Sequence, residues 1–120
     1  MTRSPKPHTL CRLEELPEGT SKGFAADPTA HYADILVVRT HEGVYAYRNS
    51  CPHIGAPMEW QPDQFLDYTG TLIQCGIHAA LFCIRDGYCI AGPCKGRYLR
   101  KVALAVQDSV IVALEDLERR

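Results

Sequence analysis

Two short stretches of like chemical content constrain this chain more than anything else in it. Residues 51–53 read Cys-Pro-His and residues 75–78 read Cys-Gly-Ile-His. Each supplies one thiolate donor and one imidazole donor: Cys51 with His53, and Cys75 with His78. A chain that uses both must fold so that two loops, distant in sequence, meet at one point. Two Cys and two His meeting in this way suggest a bound metal centre. Hairpins that end in loops would bring the pairs together at one tip of a β-scaffold.

The flanking sequence reads as strands and turns. His8 to Leu16 alternates loosely and runs into Pro17-Glu18-Gly19, a strand followed by a turn. Ser21 to Thr29 is small and polar, with a turn at Asp27-Pro28. Ala33 to Thr40 carries Ile35-Leu36-Val37-Val38, and His41-Glu42-Gly43 reverses the chain. Val44 to Arg48 returns with Val44 and Ala46 on one face and Tyr45 and Tyr47 on the other, and delivers the chain to Cys51. Thr71 to Gln74 is a short strand leading to Cys75. Leu81 to Arg85 and Tyr88 to Ile90 flank Asp86-Gly87 as a two-residue hairpin turn. Tyr98 to Val106 pairs with Val110 to Leu114 around Gln107-Asp108-Ser109. Short strands punctuated by Gly and Pro predict a small all-β sandwich or barrel, interrupted by the two ligand loops.

Composition narrows the classes of function. At 120 residues, with 46% hydrophobic and 22% charged side chains, the chain has the size and make-up of one globular domain. A net charge of −1 lacks the basic footprint of a nucleic-acid binder. The polar start, Met1 to His8, has no apolar run behind it, and the longest such run, Ala79 to Ile84, is far short of a membrane span. The expectation is a cytoplasmic protein with no membrane partner, in which thiols stay reduced and metal ligation is a better use of cysteine than disulfides. No Gly-rich phosphate loop, nucleophile elbow or suggestive carboxylate pair is present, so the chain shows no apparatus for chemistry on a substrate and is not expected to be an enzyme by itself.

Four donors of two kinds leave two candidates. Zinc would take all four in one tetrahedron. A two-iron cluster would divide them, two Cys on one iron and two His on the other. Cys-x-His is tight for chelating one ion, whereas two bridged irons allow neighbouring Cys and His to reach different metals. Spacing favours the cluster and leaves zinc open.

The wider sequence adds a resemblance. Cys51-Pro-His-Ile-Gly-Ala-Pro-Met followed by Cys75-Gly-Ile-His-Ala-Ala-Leu-Phe resembles the two cluster-binding boxes of Rieske iron–sulfur proteins, and Asp86-Gly87, Gly92-Pro93 and Leu99 resemble the family's hairpin and proline loop. The resemblance spans roughly Leu10 to Leu114. It implies a Rieske-like antiparallel β-sandwich or barrel with a small subdomain of two cluster-binding loops. It implies a leader over 1–8, one domain over 9–115 with its cluster-binding part at about 49–95, and a solvated tail over 116–120. It further implies one [2Fe-2S] cluster per chain, with Cys51 and Cys75 on one iron and His53 and His78 on the other through Nδ1. The implied function is that of a Rieske ferredoxin, which shuttles single electrons from a reductase to a terminal component such as an oxygenase. Two rivals stay open: a small Rieske-like subunit of a nitrite-reductase-type enzyme, and a structural zinc module.

Departures from the family pattern bear on tuning. High-potential members carry an extra Cys in each box, joined as a disulfide; here those places hold Ala56 and Ile77. The same members follow the second His with Gly-Ser and a nearby Tyr, whose hydroxyls donate to the cluster or its Cys ligand. This chain has Ala79 in place of a Gly common in the family, and Ala80 and Phe82 in place of the hydroxyl donors. Hydrogen bonds to the sulfurs stabilise the reduced form, so their loss predicts a potential toward the low end of a span of about −150 to +300 mV. Cys11, Cys83, Cys89 and Cys94 are expected to be small buried hydrophobes. His8, His31 and His41 are expected at the surface, and Trp60, Phe65 and the tyrosines in core or edge packing. Ile54, Pro57, Met58 and Pro93 would form an apolar rim or a docking patch. The long passage from Met58 to Gly70 is either a partner-facing loop or solvated padding.

Overall fold

A computed structural model describes residues 7–52, 55–76 and 79–117. Among these residues nine strands run in the order β1 (His8–Arg12), β2 (Thr20–Phe24), β3 (Ile35–Thr40), β4 (Gly43–Arg48), β5 (Leu72–Gln74), β6 (Leu81–Cys83), β7 (Cys89–Ala91), β8 (Leu104–Gln107) and β9 (Val110–Ala113). Among the described residues the one helical element is a 3-10 turn, Leu13–Glu15. The strands form three antiparallel sheets, ordered β1-β9-β8, β2-β3-β4 and β5-β6-β7. The all-β expectation holds.

Strand β3 explains why the chain needs an unbroken Ile-Leu-Val-Val run. Side chains alternate faces along a strand, and here both faces are buried. Ile35 and Val37 pack with Leu16, Ala46, Val102, Ile111 and Ala113 in one core. Leu36 and Val38 pack with Tyr47, Phe65, Ile73 and Phe82 in the other. The sheet β2-β3-β4 is thus the middle layer, with the sheet of the chain ends on one side and the sheet carrying the second Cys-His stretch on the other. Strand β4 obeys the same period: Val44 and Ala46 face the first core, Tyr45 and Tyr47 the second.

The structure corrects several expectations. Thr20–Phe24 is a strand, paired with β3 from Thr20↔Arg39 to Phe24↔Ile35, although its sequence lacks apolar alternation. Strand β1 stops at Arg12, where the 3-10 turn takes over. Asp86-Gly87 is not a two-residue turn, because Cys83 N–H donates to Tyr88 O (2.9 Å) and the loop spans 84–87. The buried Tyr47 hydroxyl donates to Ile84 O (2.6 Å) and braces that loop. Strand β8 starts only at Leu104, and the β8–β9 turn is the pair Asp108-Ser109, both at positive φ.

The segment read as a solvated tail is anchored at its start. Leu117 is buried. The buried Arg48 guanidinium donates to Leu117 O (2.6 Å), Asp116 O (2.8 Å) and Glu115 Oε1 (3.0 Å). A charge taken out of water needs such partners, and Arg48 has three. Residues 118–120, like most of the expected leader, lie outside the described residues. Among those described, no helix is long and apolar enough to cross a membrane.

Candidate metal centre

Cys51 and Cys75 each begin a turn of the same hydrogen-bonded design. In residues 51–56, Cys51 N–H donates to Ala56 O (2.8 Å) and Gly55 N–H donates back to Cys51 O (2.7 Å). In residues 75–80, Cys75 N–H donates to Ala80 O (2.9 Å) and Ala79 N–H donates back to Cys75 O (2.8 Å). The residue four past each Cys is left-handed, Gly55 at φ +75° and Ala79 at φ +55°. That conformation strains any side chain. Ala79 keeps it despite carrying one, so replacement of the family's common glycine leaves the turn in place.

Both Cys side chains are fully buried and share one apolar cluster with Tyr47, Phe65, Ile73 and Phe82. None of the six cysteines is in a disulfide. The expected ligands His53 and His78, with Ile54 and Ile77, lie outside the described residues.

Different contacts hold the two turns. The first is fixed by side chains. Asn49, buried just before it, accepts from Met58 N–H (2.8 Å) and donates to Ala33 O (2.9 Å) and Glu59 Oε1 (2.5 Å). The second oxygen of Glu59 accepts from Ala33 N–H (3.0 Å). Arg97 reaches from the far side to donate to Pro52 O (3.1 Å). The second turn is fixed by close packing. Gly76 N–H donates to Met58 O (2.9 Å), and a Cβ on Gly76 would lie 2.6 Å from Trp60 Cβ. A Cβ on Gly92 would lie 2.7 Å from Ala80 Cα. Only glycine allows such approaches.

The passage from Met58 to Gly70 is neither padding nor a free loop. Met58 and Phe65 are fully buried, Asp63 Oδ1 accepts from Gly23 N–H (2.9 Å), and Gln74 N–H donates to Phe65 O (2.8 Å). The passage ties β2 to β5 and braces the second turn. Met58 is therefore core and not rim. Trp60, expected in packing, is 52% exposed, and Tyr68 is fully exposed. His8, His31 and His41 are at the surface.

Residues 91–97, the expected proline loop, span the gap between the two turns. Gly92 touches the second and Arg97 the first. The loop closes on β7 through Cys89 N–H to Arg97 O (2.8 Å) and Gly96 N–H to Cys89 O (3.0 Å). Cys89 and Cys94 are buried as expected, while Cys11 and Cys83 are half-buried. The Cys94 thiol lies 3.3 Å from Cys89 Sγ and against Cys51. Burial first, then Cys89 and Cys51, pushes its pKa up to about 12.

Two sulfurs fully buried in an apolar cluster, on matched turns, suit the sulfur side of an iron–sulfur centre. A metal's positive charge makes a buried thiolate tenable where burial alone would not. Zinc satisfies the same electrostatic requirement, so the choice between them rests on the family.

Residues 6–115 match the Rieske [2Fe-2S] domain family. No curated protein matches the chain. Among solved structures, the ferredoxin of carbazole 1,9a-dioxygenase from Nocardioides aromaticivorans IC177 aligns with 92% of this chain and 99% of its own, at 26% identity and TM-score 0.71. A chain from a complex of reduced oxygenase and oxidised ferredoxin in carbazole 1,9a-dioxygenase shares the fold at 18% identity and TM-score 0.69, covering 95% and 97%. So does a chain given as the small subunit of an NADH-dependent nitrite reductase from Mycobacterium tuberculosis, at 22% identity and TM-score 0.63, covering 92% and 96%. With the match running over residues 6–115, nearly the whole chain, the chain belongs to the Rieske [2Fe-2S] domain family.

Proposed function

We propose that this chain is a Rieske ferredoxin, a one-electron carrier between a reductase and an oxygenase-like acceptor. The observation that carries the reading is the matched pair of turns, each with a fully buried Cys at its base. In it, Cys51 and Cys75 hold one iron and His53 and His78 the other, and the bound cluster supplies reversible one-electron chemistry near the low end of the Rieske range. The chain's own residues do the rest. The turns set the sulfur positions, and the Gly92–Arg97 segment covers them. Phe65, Phe82 and Met58 exclude water from the sulfur side.

The acceptor class is supported by the 26% identical ferredoxin of a dioxygenase, which aligns almost end to end with this chain. Beside the first turn lies a groove of about 780 Å³ lined by Tyr32, Pro52, Gly55, Pro57 and Tyr98, a face on which a partner would dock. The nitrite reductase subunit's fold supports a second reading, in which the chain serves a larger catalytic subunit. Stable co-purification with a large flavin or haem subunit would favour that reading.

The test is the EPR spectrum of the dithionite-reduced protein, with iron and acid-labile sulfide analysis. The expected result is the signal of a mixed Cys/His cluster with two irons and two sulfides per chain, in keeping with the [2Fe-2S] formula. One zinc and no sulfide would overturn the proposal.

A further inference from the structure

The segment 91–97 turns one thiol inward. Cys94 is 1% exposed, while Pro93 and Lys95 on either side of it are exposed. Contacts on three different elements set its place: Gly92 against Ala80, Arg97 on Pro52 O, and the backbone bonds of Gly96 and Arg97 with Cys89. With the segment pinned at both turns, the Cys94 S–H donates to Cys89 Sγ (3.3 Å), and Cys51, in the same buried cluster, is its other sulfur neighbour. Cys89 directs its own S–H to Ala91 O (3.1 Å).

From this geometry we infer that the Cys94 S–H is a hydrogen-bond donor to the Cys51 sulfur and raises the reduction potential of the centre. The inference rests on the reading above that Cys51 is a cluster ligand. A ligating sulfur carries negative charge, whereas Cys89 is a neutral thiol. The charged acceptor makes the stronger bond, so the Cys94 S–H turns to Cys51. Reduction adds negative charge that spreads onto the ligand sulfurs, so a donor there favours the reduced form. A thiol is a weak donor, and its effect is accordingly modest. Ala80 and Phe82 remove hydroxyl donors from the second turn, and Cys94 supplies a donor from a separate loop.

The test compares midpoint potentials and resonance Raman spectra of the loaded native protein with Cys94→Ala, Cys94→Ser and Cys89→Ala. In Cys94→Ala the oxidised form should gain several-fold, up to about tenfold, a downward shift of up to about 59 mV for a one-electron couple. Cys94→Ser, with a stronger donor, should match or exceed the native potential. Cys89→Ala keeps the donor and should not fall below it. Iron–sulfur stretching bands should shift in deuterated water for the native and Ser proteins and stay fixed for Cys94→Ala. Equal potentials in the Ala and Ser variants, or a deuterium shift that survives in Cys94→Ala, would overturn the assignment. So would loss of the cluster from both Cys94 variants, which would make the residue part of what holds it. A native protein without the [2Fe-2S] signal would overturn the carrier reading itself before any variant is compared.

Discussion

The first and second turns share a backbone and differ in nearly everything that supports it. Their frames are the same: Cys N–H to the carbonyl five residues on, and the N–H four residues on back to the Cys carbonyl. Yet the histidine stands two residues after Cys51 in one and three after Cys75 in the other. The frame therefore does not depend on where the imidazole falls; the left-handed residue at Gly55 or Ala79 closes it. Support differs in kind. Polar side chains, Asn49 and Arg97, hold the first turn, and glycine-only contacts at Gly76 and Gly92 hold the second. Met58 belongs to both, giving its N–H to Asn49 and its carbonyl to Gly76.

Breaking the polar support should have the largest effect. Asn49→Ala removes three hydrogen bonds at a buried amide, and at about 1 kcal/mol each the expected loss is about 3 kcal/mol in urea unfolding. Amide exchange should quicken at Gly55 more than at Ala79. Equal quickening at both would show that Met58 couples the turns and that their supports are not separate.

Breaking the steric support comes next. Gly92→Ala places a Cβ 2.7 Å from the Ala80 backbone at φ +101°, and the expected loss is about 2 kcal/mol. Here exchange should quicken at Ala79 and not at Gly55. An unchanged unfolding midpoint would show that the loop gives way freely and does not pin the second turn.

The smallest effect tests the shared frame itself. Gly55→Ala should cost about 1 kcal/mol from left-handed strain alone, since among the described residues the new Cβ meets nothing nearer than Ser50 Oγ at 3.7 Å. Ala79→Gly should gain about 0.5 kcal/mol, the strain relieved being partly offset by glycine's freedom in the unfolded chain. Opposite shifts in thermal midpoint are expected; shifts of the same sign would mean that the turns are not equivalent.

Legibility from sequence followed the range of the contacts. The β3–β4 hairpin was readable because Ile35-Leu36-Val37-Val38 and Val44 to Arg48 carry their own period and turn. The meeting of Cys51 and Cys75 in one buried cluster was readable because each stretch holds its donors within a few residues. Strand β2 was not, because Thr20–Phe24 is a strand only through pairing with β3, and Gly23 is needed by Ala33 and Phe65, whose side chains crowd it. The supports of the turns were equally hidden. Arg97 meets Pro52, and Gly92 meets Ala80, across folded distance, and no local pattern marks either residue. Leu117 looked like part of a charged tail because its partner, Arg48, lies in β4.

The pairing of β1 with β9, His8 opposite Ala113, also sets an order in time. That sheet closes nearly the whole chain into one loop, and the entropy of closure must be met before its contacts stabilise anything. The sheet β5-β6-β7 needs only residues 72–91, with short connections between its strands. The end of the molecule that bears the second turn therefore draws on the fast, local part of folding, and the joining of the termini is the slow part.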